Sequence, residues 1–296
     1  MTSYLTAWSF PPIPAIGIAI AAILYLRGFL WAPQVSRFWR PGKRRSRYGN
    51  QLPNWRALSF FSGLITLWLA LASPIDALDD YLLAVHMIQH FILMSVAPPL
   101  IILGAPTVPI LRGLPRPLIR TIVGPLLRNR AFHAALRFLT HPVTAWLLMN
   151  VAYLAWHIPF MFELTFRSDR IHDFEHFCFF STSLLFWWIV LAPWPARPRW
   201  PRWTVIPYLF SADVVNTILS AALTFSTHVL YPSYAAAPRI SSLTPLKDQA
   251  AAGAEMWVLN SIVFLIPAIA VTMQLLTPRA LRASQQVGKP ASQPVN

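Results

Sequence analysis

A single cysteine, Cys178, is all the thiol in the chain. This excludes an intrachain disulfide framework and any metal site built from several cysteines; Cys178 itself reads as a packed helix residue. Charge is scarce as well. Only 11% of the 296 residues are Asp, Glu, Lys or Arg, against about 25% in soluble domains. With 56% hydrophobic residues and a mean hydropathy of +0.50, a soluble fold would lack the polar groups to cover its surface. Helices in lipid satisfy their own backbone groups and account for this balance. A basic amino-terminal region is also missing, because Met1 to Phe10 carry no charge. The first apolar run is therefore expected to be a retained helix rather than a cleaved signal peptide.

What the chain does have is apolar runs long enough to cross a hydrocarbon core, which takes about 20 residues. Seven are expected: Ile13–Leu30, Trp55–Ala72, Leu82–Leu103, Val143–Phe162, Phe174–Ala192, Val205–Tyr231 and Gly253–Leu276. Most of the 28 prolines fall at the ends of these runs, where a helix can stop. The expected fold is all-α, a polytopic seven-transmembrane-helix bundle forming one domain over residues 1–282. The polar tail 283–296 is expected to be disordered.

Charge then sets the orientation. The first loop and its flanks carry Arg27, Arg37, Arg40, Lys43, Arg44, Arg45, Arg47 and Arg56. The third carries Arg112, Arg116, Arg120, Arg128, Arg130 and Arg137, the fifth Arg197, Arg199 and Arg202, and the tail Arg279, Arg282 and Lys289. No acid lies among them. The alternate loops and their helix ends hold nine of the ten acids, leaving Asp213 inside a span. The positive-inside rule places the N-terminus outside and the C-terminus in the cytoplasm. The net charge of +14 is thus explained by topology, and nucleic acid is not expected as a partner. Within the third loop, residues 114–140 alternate arginines with apolar residues. They form either an amphipathic helix on the lipid surface or a plain basic loop.

Ionisable groups inside membrane helices are costly and are candidates for function. Six of the eight histidines map to the outer half. His86 and His90 lie four apart in the third run and share a helix face. His157 closes the fourth run in Trp156-His157-Ile158-Pro159. His172 and His176, again four apart, open the fifth, with Glu175 between them in a position to orient a ligand histidine. His228 ends a polar stripe of the sixth run that includes Asp213, Asn216, Thr217, Ser220, Thr224 and Thr227. The seventh begins near Asp248 and Gln249, with Met256 at helical spacing. His133 and His141, in the third loop, read as incidental.

Taken singly, each histidine is more often a hydrogen-bonded interfacial residue than a ligand, and the stripe is explained by interhelical hydrogen bonding except at Asp213. Two i, i+4 pairs with a third histidine at the same depth favour a metal. Imidazole suits copper, zinc and iron, and thioether favours Cu(I). The candidate ligands are His86, His90, His157, His172, His176, Met256 and His228. Gln89, Glu175, Asp213, Asn216, Asp248 and Gln249 are candidate supporting groups or a polar path. Copper is the expected metal, with zinc and iron as alternatives. A cation transporter working through Asp213 is a second reading. A third is an intramembrane metalloenzyme, since His172-x-x-Glu175-His176 fits the H-x-x-E-H zinc pattern. A scaffold whose histidines only hydrogen-bond is the fourth.

Several of these stretches occur together in a known family. His86–His90 with Ala97-Pro98-Pro99-Leu100 and Gly104-Ala105-Pro106, Trp156-His157-Ile158-Pro159, His172-x-x-Glu175-His176, and Asp248-Gln249-x-x-Ala252-Gly253-x-x-Met256-Trp257 resemble the CtaG family of caa3-type cytochrome c oxidase assembly factors. The similarity runs from about Ile13 to Leu276. Glu255, before Met256-Trp257, departs from the apolar residue usual there. The resemblance implies a non-catalytic role in forming an active haem–copper oxidase by handling copper. It implies oxidase subunits and a periplasmic or extracellular-side copper chaperone as partners, and a multi-pass protein of the bacterial plasma membrane.

Overall fold

The computed structural model describes residues 7–30, 52–193 and 200–277. The basic residues Arg37 to Arg47, Arg197, Arg199, Arg279, Arg282 and Lys289, and the tail 283–296, lie outside the described residues. Everything regular among the described residues is helical. α1 (Pro12–Leu30) is apolar all round and leaves Ile13, Ile16, Ile20 and Ile23 exposed, as a helix facing lipid does. α2 (Asn54–Ala72) follows, then the short α3 (Pro74–Leu78), whose first turn is capped by the Ser73 hydroxyl accepting from the Ile75 N–H.

α4 (Leu83–Leu103) runs through the middle of the bundle and carries a π-helical turn over Ile92–Val96. The cause is Pro98-Pro99. Neither residue can donate to the carbonyl one turn back, so the Met94 carbonyl accepts instead from Trp187 Nε1 at 2.9 Å. α5 (Thr107–Gly113) lies against α1. There Gly28 meets the Pro109 backbone and Gly113 meets the Leu24 backbone, a contact that leaves no room for a Cβ on either side. Short helical pieces follow over residues 116–128, then α6 (Arg130–Leu139), capped by Asn129 accepting from the Ala131 and Phe132 N–H groups. Residues 114–140 are thus predominantly helical, with Ile122, Leu126 and Leu136 exposed beside the arginines.

The fourth expected span is the one that differs. α7 (Pro142–Trp156) has 15 residues, roughly 22 Å at the helical rise, short of a hydrocarbon core of about 30 Å. The chain breaks at His157-Ile158 because Pro159 cannot donate to the helix and restricts the residue before it. It resumes as α8 (Pro159–Arg167). α9 (Asp169–Leu191) starts five residues earlier than expected.

α10 (Val205–Thr224) stops short of Tyr231. The Gln249 side chain takes over the backbone groups freed there: its Oε1 accepts from Leu230 N–H at 2.7 Å, and its Nε2 donates to the Leu223 and His228 carbonyls at 3.3 Å each. A short α11 (Pro232–Ala236) leads to α12 (Pro245–Leu276). Six helices are long and apolar enough to cross a membrane, and the count reaches seven when α6 and α7, bent by 62°, are taken as one span.

Candidate metal centre

The cage forms at the end of the bundle where α4, α9 and α12 begin and α7 and α10 finish. Helical spacing puts His86 and His90 on one face of α4, with ring centroids 4.2 Å apart. His172 and His176 form the matching pair on α9, also at 4.2 Å. The faces meet, with His86 to His172 at 5.3 Å and His90 to His176 at 5.5 Å. Each of His86, His90, His172 and Glu175 offers a ligand atom, and these four atoms all lie within 4.8 Å of one another.

Among the described residues, His86 Nε2, His172 Nε2, His176 Nε2, both ring nitrogens of His90 and both oxygens of Glu175 are buried without a hydrogen-bond partner. A buried polar group left unpaired costs about 1–3 kcal/mol, and native interiors contain few of them. One atom each from His86, His90, His172 and Glu175 lies in the close group, and imidazole nitrogens and carboxylate oxygens are donor types that ligate divalent metals. The nearest carboxylate–imidazole approach inside the cage is His90 Nε2 to Glu175 Oε2 at 3.8 Å.

Surrounding groups fix the cage. Asp248 at the start of α12 accepts from the Leu83 and Ala84 N–H groups at 2.7 and 3.3 Å, which holds the first turn of α4. Gln89 faces away from the cage and donates from Nε2 to the Ala70 carbonyl at 2.9 Å and to Asp76 Oδ1 at 3.1 Å. The break after α7 turns His157 inward. Its Nδ1 donates to the Tyr153 carbonyl at 2.7 Å, which leaves the Nε2 lone pair free and without a partner among the described residues. Tyr231 and Tyr234 cover the cage, with hydroxyls donating to the His157 carbonyl at 3.0 Å and the Asp79 carbonyl at 2.7 Å. α11 is fastened above by Glu163, which accepts from both the N–H and the hydroxyl of Ser233.

His172 is the most accessible member, with 22% of its side chain exposed, and its Nε2 stands 3.9 Å from Asp79 Oδ2. Asp79 lies in the loop ahead of α4. Burial, and then the neighbouring charges of Asp80 and Asp76, push its carboxyl up to about 9.

The structure brings His86, His90 and His172 together with Glu175 in the cage, packs the His176 ring against His90 and His172 and sets the His157 ring 6.4 Å from that of His90. A Glu175 carboxylate oxygen stands within 4.8 Å of a ring nitrogen of each of His86, His90 and His172. Met256 lines a chamber deeper in the bundle. His228 lies on the irregular stretch after α10, exposed, and stays outside the cluster. Asp213 accepts from the Ser261 hydroxyl at 2.8 Å. Asn216 accepts from the Tyr153 hydroxyl and from Asn260 Nδ2 at 2.8 and 3.2 Å, an interhelical network away from the cage. His133, exposed on α6, bonds the Leu127 carbonyl. Asp79 and the two tyrosines were not singled out by sequence. No spacing rule links a loop aspartate or residues 231 and 234 to histidines on other helices.

Residues 36–277 match the model of the cytochrome c oxidase caa3 assembly factor family. The chain belongs to that family. It is also 24% identical over 275 residues to an uncharacterized protein of Mycobacterium leprae, and 28% identical over 283 residues to uncharacterized proteins of Mycobacterium bovis and Mycobacterium tuberculosis. Each of these alignments takes in 92% of this chain but about two fifths of the relative, 39–40%. No solved structure matches the chain. The caa3 assembly-factor match covers α2 to α12, and therefore every residue of the cage.

Proposed function

We propose that this caa3 assembly-factor family member is a non-catalytic membrane protein that holds a metal ion, copper in the oxidase context, in the His86/His90/His172/Glu175 cage. It passes the ion to, or stabilises, a haem–copper oxidase subunit. The observation that carries this reading is the set of buried, unpartnered imidazole and carboxylate atoms within 4.8 Å of one another, inside a member of an oxidase assembly family.

Imidazole and carboxylate together suit copper, zinc or iron in divalent form. The family context is what favours copper among them. A plasma-membrane protein of seven spans, with the bent α6–α7 pair counted as the fourth and with N-out/C-in orientation, would open the cage to the outer side. The oxidase and a copper chaperone on that side are the partners this orientation would serve. The exposed edge of His172, near the exposed loop residue Asp80, is the side from which a cation would be received.

The test is elemental analysis of the purified protein after loading with Cu(II) or Zn(II) and desalting. One divalent ion per chain is expected in the wild type, with loss in the His86→Ala/His90→Ala double variant. A wild type that retains no metal under any loading condition would end this reading.

A further inference from the structure

Below the cage lies a chamber whose chemistry differs from it. It holds about 30 Å³ of free space, enough for a small ion or one to two waters. Four of the chain's seven methionines line it: Met87 and Met94 from α4, Met149 from α7 and Met256 from α12. All four are buried, whereas Met161 and Met273 lie on the outer surface at 39% and 61% exposure. His90 and His157 also line the chamber and form its boundary with the cage.

Methionine in a core is usually a gap-filler. Two observations go beyond that. The side chains leave about 30 Å³ between them, and His157, one of the lining residues, has an imidazole Nε2 that is buried and unpartnered among the described residues. The tautomer fixed by Tyr153 makes that nitrogen a lone-pair donor to a cation rather than an N–H donor.

The polar groups on the far wall are satisfied among themselves. Ser95 Oγ donates to Asn260 Oδ1 at 2.6 Å, and Asn260 Nδ2 to Asn216 Oδ1 at 3.2 Å. Asn216 Nδ2 in turn donates to the Met256 carbonyl at 3.3 Å. Asn150 Oδ1 is the exception, an oxygen better suited to a water than to a soft metal.

Among the described residues, no carboxylate lines the chamber. The cost of desolvating an ion rises with the square of its charge, so a divalent ion would cost about four times as much as a monovalent one in such a place. Thioether donors favour soft monovalent Cu(I), and imidazole accepts copper as well as zinc or iron.

We propose that the chamber is a second metal site, taking Cu(I) or its analogue Ag(I) through His157 Nε2 and the thioether sulfurs of Met87, Met94, Met149 and Met256. It lies next to the proposed divalent cage and extends that reading, yet either site can fail without the other. The chamber would hold a monovalent ion at a depth the cage does not reach, sharing the wall of His90 and His157.

Two titrations of the purified full chain separate the sites, one with silver nitrate and one with zinc sulfate. Met149→Leu/Met256→Leu keeps volume and apolarity while removing two sulfurs. It is expected to weaken Ag(I) binding at least tenfold and to leave Zn(II) stoichiometry unchanged. Glu175→Gln is expected to do the reverse. X-ray absorption of the Cu(I)-loaded wild type should show sulfur scatterers. Ag(I) affinity unchanged in the methionine variant, or a Cu(I) spectrum without sulfur, overturns the proposal. Retained Ag(I) binding in a protein that takes up no Zn(II) would instead remove the cage reading and keep this one.

Discussion

Both oxygens of Glu175 are buried without a hydrogen-bond partner among the described residues, and His90 Nε2 stands 3.8 Å away. A buried carboxylate of this kind destabilises a metal-free protein and is compensated when a cation arrives. Glu175→Gln removes the charge and keeps the shape. The expected result is a metal-free protein at least as stable as wild type, which no longer gains melting temperature on adding Zn(II). Differential scanning fluorimetry with and without metal measures both effects. A metal-dependent gain that survives the substitution would show that Glu175 is not a ligand. Asp79 is held protonated at neutral pH by burial and by Asp80 and Asp76, so Asp79→Asn removes no charge there and should leave the Zn(II)-dependent gain in melting temperature unchanged. The sequence made three of the four cage residues, His86, His90 and His172, legible through the i, i+4 spacing of histidine pairs, because a helix face is a local property. Glu175's place among the ligating atoms and the covering tyrosines were not legible. Both depend on how α4, α9 and the 231–234 segment approach one another, and nothing in any one segment encodes that.

At the scale of helices, the first turn of α4 and the packing of α12 carry the site. The Asp248 carboxylate accepts from two N–H groups at the start of α4, a capping role supplied from another helix. Asp248→Ala leaves the buried Leu83 N–H and the half-buried Ala84 N–H without this acceptor, and the expected cost is about 2 kcal/mol, read as a lower melting temperature. Asp248→Asn, which keeps one acceptor oxygen, should recover about half. Gly253 works through absence: a Cβ there would meet the Ser220 carbonyl at 2.8 Å and Thr224 Oγ1 at 2.5 Å. The backbone contact cannot yield by a rotamer change, so α12 must move away from α10. Gly253→Ala gains about 1 kcal/mol of helix propensity against about 1–3 kcal/mol of overpacking, and Gly253→Val only worsens the contact. Met256 sits one turn along on the same helix. The Val variant should therefore lose Ag(I) affinity as well as stability, both measurable on one preparation. The long apolar runs made six of these helices legible in advance. The break at His157-Ile158-Pro159 was not, because the run stays apolar across it and only the backbone consequences of Pro159 divide it. The same break gives His157 its inward direction.

For the molecule as a whole, charge is divided between two ends. Among the described residues, the end that holds the cage carries Asp76, Asp79, Asp80, Asp169 and Asp173 with only Arg167, Arg170, Arg239 and Lys247 as basic residues, while Arg56, Arg112, Arg116, Arg120, Arg128, Arg130, Arg137 and Arg202 belong to the other, where no acid lies. Basic residues are retained on the cytoplasmic side during insertion, so the proposed orientation directs the cage outward. Lone-cysteine labelling can decide this, because Cys178 is the one thiol to remove. In a Cys178→Ser background, Ser242→Cys places a thiol on an exposed loop at the cage end, and Ala134→Cys places one on the exposed surface of α6. A membrane-impermeant maleimide should label the first in right-side-out vesicles and the second only after the bilayer is opened. The reverse pattern would put the cage in the cytoplasm, where the same imidazoles would face a reducing compartment and an external copper chaperone could not reach them. Equal labelling of both in sealed vesicles would mean that residues 134 and 242 lie on one side. The bent α6–α7 pair would then not cross the bilayer, and the six long helices would be the complete set of spans between the described ends.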